Sequence, residues 1–324
     1  MPLTARDITT ALPLWAELEG GEARLVNHSE NHTFRIDSPR GRYSLRVHRE
    51  GYQSAASIES ELDWLMALRR DTALAIPEPI AGRDGKLLQS FFAANGERRL
   101  AVLFHHIAGQ EPSPESNLGD IFTTLGQYAA RMHQHVIAWP RPQQFERQVW
   151  QAATILDADG LWGDWRLAPG VNEKNRLVLD RLDSILWHRL ADYGTSADRY
   201  GLIHADMRLG NLLVEDGQMT LIDFDDCGFC WFTYDFAAAI SFHETNPAIP
   251  ALKAAWLDGY QAIRPLSEDD LAAMDSMVML RRMALLAWIG SHAETRLAQQ
   301  HMPGFADGTA ELAERFMRGP LWPS

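Results

Sequence analysis

The sequence contains 324 residues, which is enough for one large domain or two moderate ones. Its formal net charge of −13, without any run of like charges, argues against a nucleic-acid-binding protein, which would carry a basic surface. No apolar stretch approaches the roughly 20 residues of a membrane span, no signal peptide is recognisable, and two cysteines cannot form a disulfide framework. These features predict a cytoplasmic protein that binds neither nucleic acid nor membrane.

The first third of the chain is predicted to contain strands and one helix. Residues 22–48 are predicted to form strands, with alternating side chains at 33–37 and 43–48 and turn-forming residues at 38–41 between them. Residues 57–70 place Ile58, Leu62, Leu65 and Leu68 on one stripe at helical spacing. A short apolar strand is predicted at 100–106.

The remainder of the chain is predicted to be mainly helical. Long helices are predicted at residues 121–135, 174–193, 250–263 and 269–296. A β-hairpin is predicted within residues 211–225, because two apolar segments flank a Glu-Asp-Gly-Gln turn. This order predicts an α+β protein, with a small β-rich first part, a larger helical second part and a boundary near residue 104.

Two carboxylates and one carboxamide lie close together around the predicted hairpin. Asp206 and Asn211 are five positions apart before it, and Asp223 follows its second strand. Phosphoryl transfer needs such a set, because one carboxylate orients the attacking hydroxyl while an Asn and a second Asp hold Mg²⁺ on the phosphates. An ordinary acidic turn could produce part of this pattern, but the distance from Asn211 to Asp223 favours the catalytic interpretation.

Residues 202–237, LIHADMRLGNLLVEDGQMTLIDFDDCGFCWFTYDFA, resemble the active-site region of the aminoglycoside phosphotransferase and choline kinase family. The nearest branch contains type II homoserine kinase and stress response kinase A. The resemblance implies a two-lobed protein-kinase-like fold, with a nucleotide-binding lobe at 1–104 and a helical catalytic and substrate-binding lobe at 105–324. It also implies transfer of the γ-phosphate of ATP to a hydroxyl.

The same resemblance implies a role for each residue of the motif. Asp206 would be the catalytic base, Asn211 and Asp223 would be Mg²⁺ ligands, and Asp235 would be a structural brace of the catalytic loop. ATP and Mg²⁺ are therefore the expected cofactors.

A cation and a carboxylate in the first third fit the needs of a kinase. Arg46 lies on a strand face opposite Leu45 and Val47, and Glu61 falls on the apolar stripe of its helix. A carboxylate on a buried stripe needs a cationic partner, so we expect an Arg46–Glu61 ion pair beneath the phosphates. Kinases of this type usually have Lys where this chain has Arg46, and the alternative is a surface Arg and a helix-edge Glu.

Further nucleotide contacts are predicted from the resemblance. The loop at residues 27–32 contains no glycine, and Ser29 and Asn31 are candidate phosphate contacts, although a plain polar turn is an equal alternative. The segment at 103–109 fits an inter-lobe hinge, where the carbonyl of His105 and the amide of Ile107 would bind adenine.

The acceptor region is less defined by sequence. The segment 157–170 contains Trp162 and Trp165 and could cover the acceptor, while Arg281 and Arg282 on the last long helix could bind it. The alternative assigns the tryptophans to the core and the arginines to the surface.

The leading hypothesis is an ATP-dependent kinase acting on a small-molecule hydroxyl, namely an amino alcohol, a hydroxy amino acid or a sugar. One alternative is a protein Ser/Thr kinase similar to stress response kinase A, with a protein substrate. Another is a non-catalytic nucleotide-binding module, motivated by Arg46 and the glycine-free loop.

Overall fold

The computed structural model describes residues 3–28, 31–94, 96–113, 115 and 117–322, with only the backbone of residues 27 and 28. The chain divides into two compact units. Unit 1 contains the residues up to Gln110 together with Arg141–Arg147 and Leu213–Asp225, and unit 2 contains Glu111–Pro140, Gln148–Leu212 and the residues from Asp226 onward. Unit 1 is built from three segments of the chain, so no single residue separates the two units. The boundary near residue 104 stays a prediction.

Unit 1 contains an antiparallel sheet that, within the described residues, has six strands in the order β1-β2-β3-β6-β4, with β5 pairing to β6. Alternation along β2 and β3 buries Phe34, Ile36, Leu45 and Val47 against Trp15. The strands are β1 (Glu22–His28), β2 (His32–Ser38), β3 (Gly41–Val47), β4 (Pro79–Ile80), β5 (Leu88–Phe92) and β6 (Arg98–His105).

The helix of unit 1, α1, spans Ala55–Asp71. It begins after Ser54, whose hydroxyl accepts a hydrogen bond from the Ser57 amide at 3.0 Å and so satisfies one of the free amides of the first turn. The apolar stripe predicted for this helix is buried, and Glu61 lies within it at 0% exposure. A charged group therefore sits among apolar side chains and needs a partner.

Unit 2 is mainly helical, with a two-stranded antiparallel ladder between β7 and β10. Helices α2 and α6 approach closely because Gly126 and Gly259 lie at their contact, where a Cβ atom would meet the Trp256 and Thr123 carbonyl oxygens at 2.1 and 1.9 Å. The elements are α2 (Gly119–Ala138), α3 (Ala152–Leu156), α4 (Glu173–Tyr193), β7 (Tyr200–Ile203), β10 (Gly228–Trp231), α5 (Tyr234–Ala239), α6 (Ile249–Gln261), α7 (Glu268–Ser291), α8 (Arg296–His301) and α9 (Phe305–Arg318).

Two predicted elements end earlier than expected. Helix α7 stops at Ser291, and the predicted continuation to Arg296 is wrong, because the Thr295 hydroxyl accepts from the Ala298 amide at 3.2 Å and caps a separate helix. The hairpin is confirmed as β8 (Leu212–Glu215) and β9 (Gln218–Leu221), but the residues up to Asp225 extend beyond the strand. No helix among the described residues is long and apolar enough to cross a membrane.

Candidate active site

The loop that carries Asp206 is held by Asp235. Oδ1 of Asp235 accepts from the Ala205 amide at 2.8 Å, and Oδ2 lies 3.0 Å from Nε2 of His133. Ala205 has φ +66°, a left-handed conformation that an L-residue adopts only when its surroundings impose it. Burial lowers the pKa of His133, so its imidazole is neutral and can donate one hydrogen bond to the carboxylate. Asp235 is thus a brace of the loop that carries Asp206, as the resemblance implied.

Both carboxylate oxygens of Asp206 accept hydrogen bonds within unit 2. Oδ2 accepts from Nδ2 of Asn211 at 2.6 Å and from Nε of Arg208 at 3.2 Å, while Oδ1 accepts from Nη2 of Arg281 at 2.5 Å. Burial alone would raise the pKa of Asp206, but the Arg208 and Arg281 guanidinium groups outweigh burial and lower it. Asp206 is therefore ionised at neutral pH.

An ionised, strongly hydrogen-bonded carboxylate is a weak base but a good orienting group. In a loose phosphoryl-transfer transition state, the attacking oxygen needs alignment more than early deprotonation. The geometry of Asp206 thus suits it to accept a hydrogen bond from an acceptor hydroxyl and to take its proton late.

Asn211 has an amide orientation that suits a metal ligand. Its Nδ2 donates to the backbone oxygen of Asp206 at 2.8 Å as well as to the carboxylate, so the amide nitrogen is committed to the loop. The amide oxygen, which is the atom that Mg²⁺ binds, remains on the other side of the group.

In unit 1 the predicted Arg46–Glu61 ion pair is present. Nη2 of Arg46 lies 2.7 and 2.8 Å from the two Glu61 oxygens, and both side chains are buried. Burial raises the pKa of Glu61, although the guanidinium opposes that rise. Nη1 of Arg46 lies 3.6 Å from Oδ1 of Asp223, so the guanidinium faces both carboxylates.

The fit of Mg²⁺ to Asp223 can be judged from its own environment. Its side chain is 45% exposed, and its backbone has φ +64°, which Asp tolerates better than most residues. Within the described residues, Oδ1 of the buried Asp225 has no hydrogen-bond donor. Oxygen atoms are the ligands that a hard divalent cation prefers, so the exposed Asp223 carboxylate and the neighbouring Asp225 oxygen fit Mg²⁺.

Asn31 has its side-chain amide engaged in unit 1. Nδ2 donates to Oδ2 of Asp225 at 2.8 Å, and Oδ1 accepts from the Arg49 amide at 3.2 Å. Asn31 therefore orients Asp225, and its contact with phosphate stays a prediction. Ser29, the other predicted phosphate contact, lies outside the described residues.

The predicted hinge residues follow the end of β6. His105 is the last residue of this strand, where its amide donates to the Glu78 carbonyl oxygen at 3.1 Å, and Ile107 lies beyond it. Adenine would be bound by backbone atoms of this segment, and that assignment stays a prediction.

The aromatic segment of unit 2 belongs to the core. Trp162 and Trp165 are 6% and 0% exposed, and Nε1 of Trp165 donates to Oδ2 of Asp183 at 3.2 Å. For Trp165 the alternative, an assignment to the core, is therefore confirmed. Trp162 is also buried, and its ring centre lies 5.4 Å from the guanidinium carbon of Arg281, the residue that pairs with Asp206.

The two arginines of the last long helix are buried rather than exposed. Arg281 pairs with Asp206, and Nη1 of Arg282 lies 2.6 Å from Oε2 of Glu244. Sequence reasoning named both as cations near the acceptor but did not connect Arg281 to Asp206. The one available signal was their position in the middle of an apolar helix, where a charge requires a partner.

Comparisons with known proteins identify the family. Residues 22–266 match the phosphotransferase enzyme family. Amicoumacin kinase of Bacillus subtilis (strain 168) is 25% identical over 71% of this chain, and the chain spans 65% of that protein's length, just under two thirds. A homoserine kinase of Gluconobacter oxydans (strain 621H) is 27% identical over 74% of this chain and 75% of its own length.

Solved structures give the same assignment. A microcompartment-associated aminopropanol kinase has a TM-score of 0.87 and 40% identity, covering 95% of this chain and 96% of that chain. An amicoumacin kinase in complex with AMP-PNP, Ca²⁺ and Ami has a TM-score of 0.74 at 22% identity, which establishes a shared fold, covering 97% and 92% of the two chains. ATP and a divalent cation are typical cofactors of the family. The chain therefore belongs to the phosphotransferase enzyme family and has its protein-kinase-like fold.

Proposed function

We propose that this protein is an ATP- and Mg²⁺-dependent kinase that phosphorylates the hydroxyl of a small amino alcohol. The observation that carries the proposal is the 40% identity to the aminopropanol kinase over nearly the full length of both chains. The homoserine kinase of Gluconobacter oxydans is 27% identical over 75% of its length. The higher identity favours an amino alcohol over a hydroxy amino acid or a sugar.

The charges of unit 2 support the same acceptor class. A hydroxy amino acid brings a carboxylate that needs a cation, whereas an amino alcohol brings only an ammonium group. Arg281 and Arg282, the two cations that the sequence offered for binding the acceptor, are already paired with Asp206 and Glu244. Neither guanidinium is left without a counter-charge to bind an anionic substrate.

Each residue of the motif has a role in this proposal. Asp206 accepts the hydrogen bond of the acceptor hydroxyl and orients its oxygen. Asn211 and Asp223 would hold Mg²⁺ through oxygen atoms, and the bound cation would neutralise charge on the phosphates. Arg46, positioned by Glu61, supplies positive charge toward the α- and β-phosphates.

The remaining nucleotide contacts are proposed from the resemblance. The His105 carbonyl and the Ile107 amide bind adenine, and Ser29 and Asn31 contact phosphate. The relatives named above are kinases of small molecules, which favours a small-molecule acceptor over the protein-kinase alternative.

The test is ADP release by the purified protein with MgATP and a panel of acceptors. The panel contains 1-amino-2-propanol, ethanolamine, L-homoserine and 2-propanol, the last of which lacks the ammonium group. We expect kcat/KM for an amino alcohol to exceed that for L-homoserine by about 100-fold or more, because an unpaired buried carboxylate costs about 3 kcal/mol. Phosphorus NMR should identify an O-phosphate ester.

The outcomes separate the hypotheses. Preference for L-homoserine would overturn the acceptor class but retain the kinase, while a 2-propanol rate equal to that of the amino alcohol would remove the role of the ammonium group. Labelled ATP that marks only protein in a lysate would support the protein-kinase alternative. MgATP binding without ADP release for any acceptor would leave a nucleotide-binding module.

A further inference from the structure

Arg281 contacts Asp206 from a helix that lies 75 positions later in the chain. Its Nη2 donates to Oδ1 of Asp206 at 2.5 Å, and its Nε donates to Oγ of Ser241 at 3.0 Å. The side chain is 2% exposed, so the guanidinium is fixed deep in unit 2 rather than attached to its surface. Two separate anchors on a planar group define its orientation as well as its position.

The surroundings of Arg281 keep its charge in place. Its guanidinium carbon lies 5.4 Å from the ring centre of Trp162 and 5.9 Å from that of Tyr234, within the range of cation–π attraction. Burial opposes the charge, but Tyr234 and Asp206 outweigh burial and raise the pKa of Arg281. Arg281 is therefore a permanent cation beside the carboxylate.

The two cations that contact the Asp206 carboxylate differ in their exposure to solvent. Oδ1 faces Arg281, whose side chain is 2% exposed, whereas Oδ2 faces Arg208, whose side chain is 25% exposed. The side of the more exposed cation is the more open approach for an acceptor hydroxyl, and this is the side of Oδ2. Oδ2 also accepts from Asn211 and Arg208, whereas Oδ1 is held by Arg281.

We propose that Arg281 is a positioning residue, which rotates the Asp206 carboxylate so that Oδ2 is presented to the acceptor hydroxyl. The inference rests on the proposed function, because its readout is phosphoryl transfer. Without Arg281 the carboxylate keeps its contacts to Asn211 and Arg208 on Oδ2. It loses the one hydrogen bond that Oδ1 accepts within the part of the chain that the structure describes. Both contacts that remain compete with the acceptor.

The experiment measures kcat and both KM values for Arg281→Ala, Arg281→Lys and Ser241→Ala. We expect kcat of Arg281→Ala to fall by about 10²-fold, the usual cost of a misaligned reacting group, while KM for ATP is unchanged. Arg281→Lys restores the charge but not the second anchor, and Ser241→Ala removes only that anchor. Both should therefore give intermediate kcat values.

Guanidinium ion is the more direct probe. Added at millimolar concentration, it should enter the space left in Arg281→Ala and raise kcat with saturation, whereas ammonium ion should not, because it lacks the planar fork. The double variant Arg281→Ala with Asp206→Asn should show no such rescue, because the carboxylate that guanidinium would contact is absent. Arg282→Lys weakens the buried ion pair with Glu244 at the next position of α7. The activity lost in this variant therefore measures the effect of reduced stability alone.

The outcomes distinguish this inference from the proposed function. A wild-type protein that is inactive with every acceptor defeats the proposed function. An active wild type with Arg281→Ala at normal kcat overturns only the positioning role. Equal kcat losses in Arg281→Ala and Arg282→Lys, without guanidinium rescue, would also overturn it, because the effect would then be structural.

Discussion

Nη2 of Arg46 lies 2.7 Å from Oε1 and 2.8 Å from Oε2 of Glu61, with the Arg46 side chain 8% and the Glu61 side chain 1% exposed. One strand and one helix of unit 1 are thereby joined by an ion pair removed from water. Such a pair contributes little to folding stability compared with apolar residues of similar volume. Loss of one partner, however, leaves the other as an uncompensated buried charge.

Replacement of Arg46 by alanine should lower the free energy of unfolding by about 3–5 kcal/mol, because Glu61 would stay buried and unpaired. Denaturant unfolding measures this change. Arg35→Ala is the matched control, since Arg35 pairs with Asp37 at 3.0 Å on an exposed part of β2 and should cost about 1 kcal/mol or less. Equal effects of the two substitutions would contradict the structural role of the pair.

Arg46→Lys tests why this chain has arginine at the strand position. Lysine keeps the charge, but it is a point charge and cannot face Glu61 and Asp223 with separate nitrogens as Arg46 does. We expect KM for ATP to rise and kcat to fall. Improved activity in this variant would show that the site tolerates the usual kinase cation.

Asp206→Asn should lower kcat by roughly 10²–10⁴-fold, the usual contribution of a positioned general base. The affinity for MgATP should change little, because Asp206 is assigned to the acceptor. Steady-state kinetics and calorimetry measure the two quantities. Asp216→Asn, on the exposed hairpin turn at φ +49°, is the control for an acidic residue with no assigned role. Near-normal turnover of Asp206→Asn would remove the assignment.

Asp223→Asn should greatly weaken the Mg²⁺-dependent part of nucleotide binding. Asparagine is preferred to alanine here, because the backbone has φ +64° and asparagine tolerates this conformation. Calorimetry with ATP in Mg²⁺ and in EDTA separates metal-dependent from metal-independent affinity. If Asp223 is a Mg²⁺ ligand, the ATP affinities measured in Mg²⁺ and in EDTA should become similar in the variant. An unchanged difference between these two affinities would exclude the ligand role.

Trp165→Ala should destabilise the protein by about 3–5 kcal/mol, because removal of a fully buried indole would leave a cavity and would take one of two hydrogen-bond donors from Oδ2 of Asp183. Both KM values, expressed per folded enzyme, should stay the same. A selective rise in the acceptor KM would restore the cover role that the sequence suggested. Melting temperature and kinetics are measured on one preparation.

His48 should make unit 1 sensitive to acid. Burial lowers the pKa of His48 to about 3; Arg46 and Arg147 lower it further, while Asp225 opposes the change. An unfolded histidine titrates near 6.5. The unfolded chain therefore binds a proton that the folded chain does not, and stability falls as pH falls below about 6.5. His48 should contribute about 1.4 kcal/mol per pH unit to the slope between about pH 6 and pH 4.

His48→Gln removes this titration and keeps a polar side chain of similar size. The slope of the unfolding free energy against pH should then be smaller by about 1.4 kcal/mol per pH unit between about pH 6 and pH 4. A variant with the wild-type slope would assign the acid sensitivity to other groups.

Local patterns in the sequence were sufficient for the elements and for part of the site. Alternation predicted β2 and β3, helical spacing predicted α1, and the Asp216-Gly217 turn predicted the hairpin between β8 and β9. The spacing from Asp206 to Asn211 and Asp223 pointed to phosphoryl transfer, since a short loop and a hairpin carry all three groups. These features depend on neighbours within a few residues, so they are readable without a fold.

The tertiary structure decided which groups meet across long separations in the chain. Arg281 reaches Asp206 over 75 positions, and the buried positions of Trp162 and Trp165 depend on helices that follow them. A periodic pattern reports only that a side chain is buried, whereas its partner is set by how the elements pack. The pairing of Arg46 with Glu61 was predictable because a buried carboxylate requires a cation nearby, but the same rule could not select Asp206 as the partner of Arg281, because several carboxylates satisfied it equally.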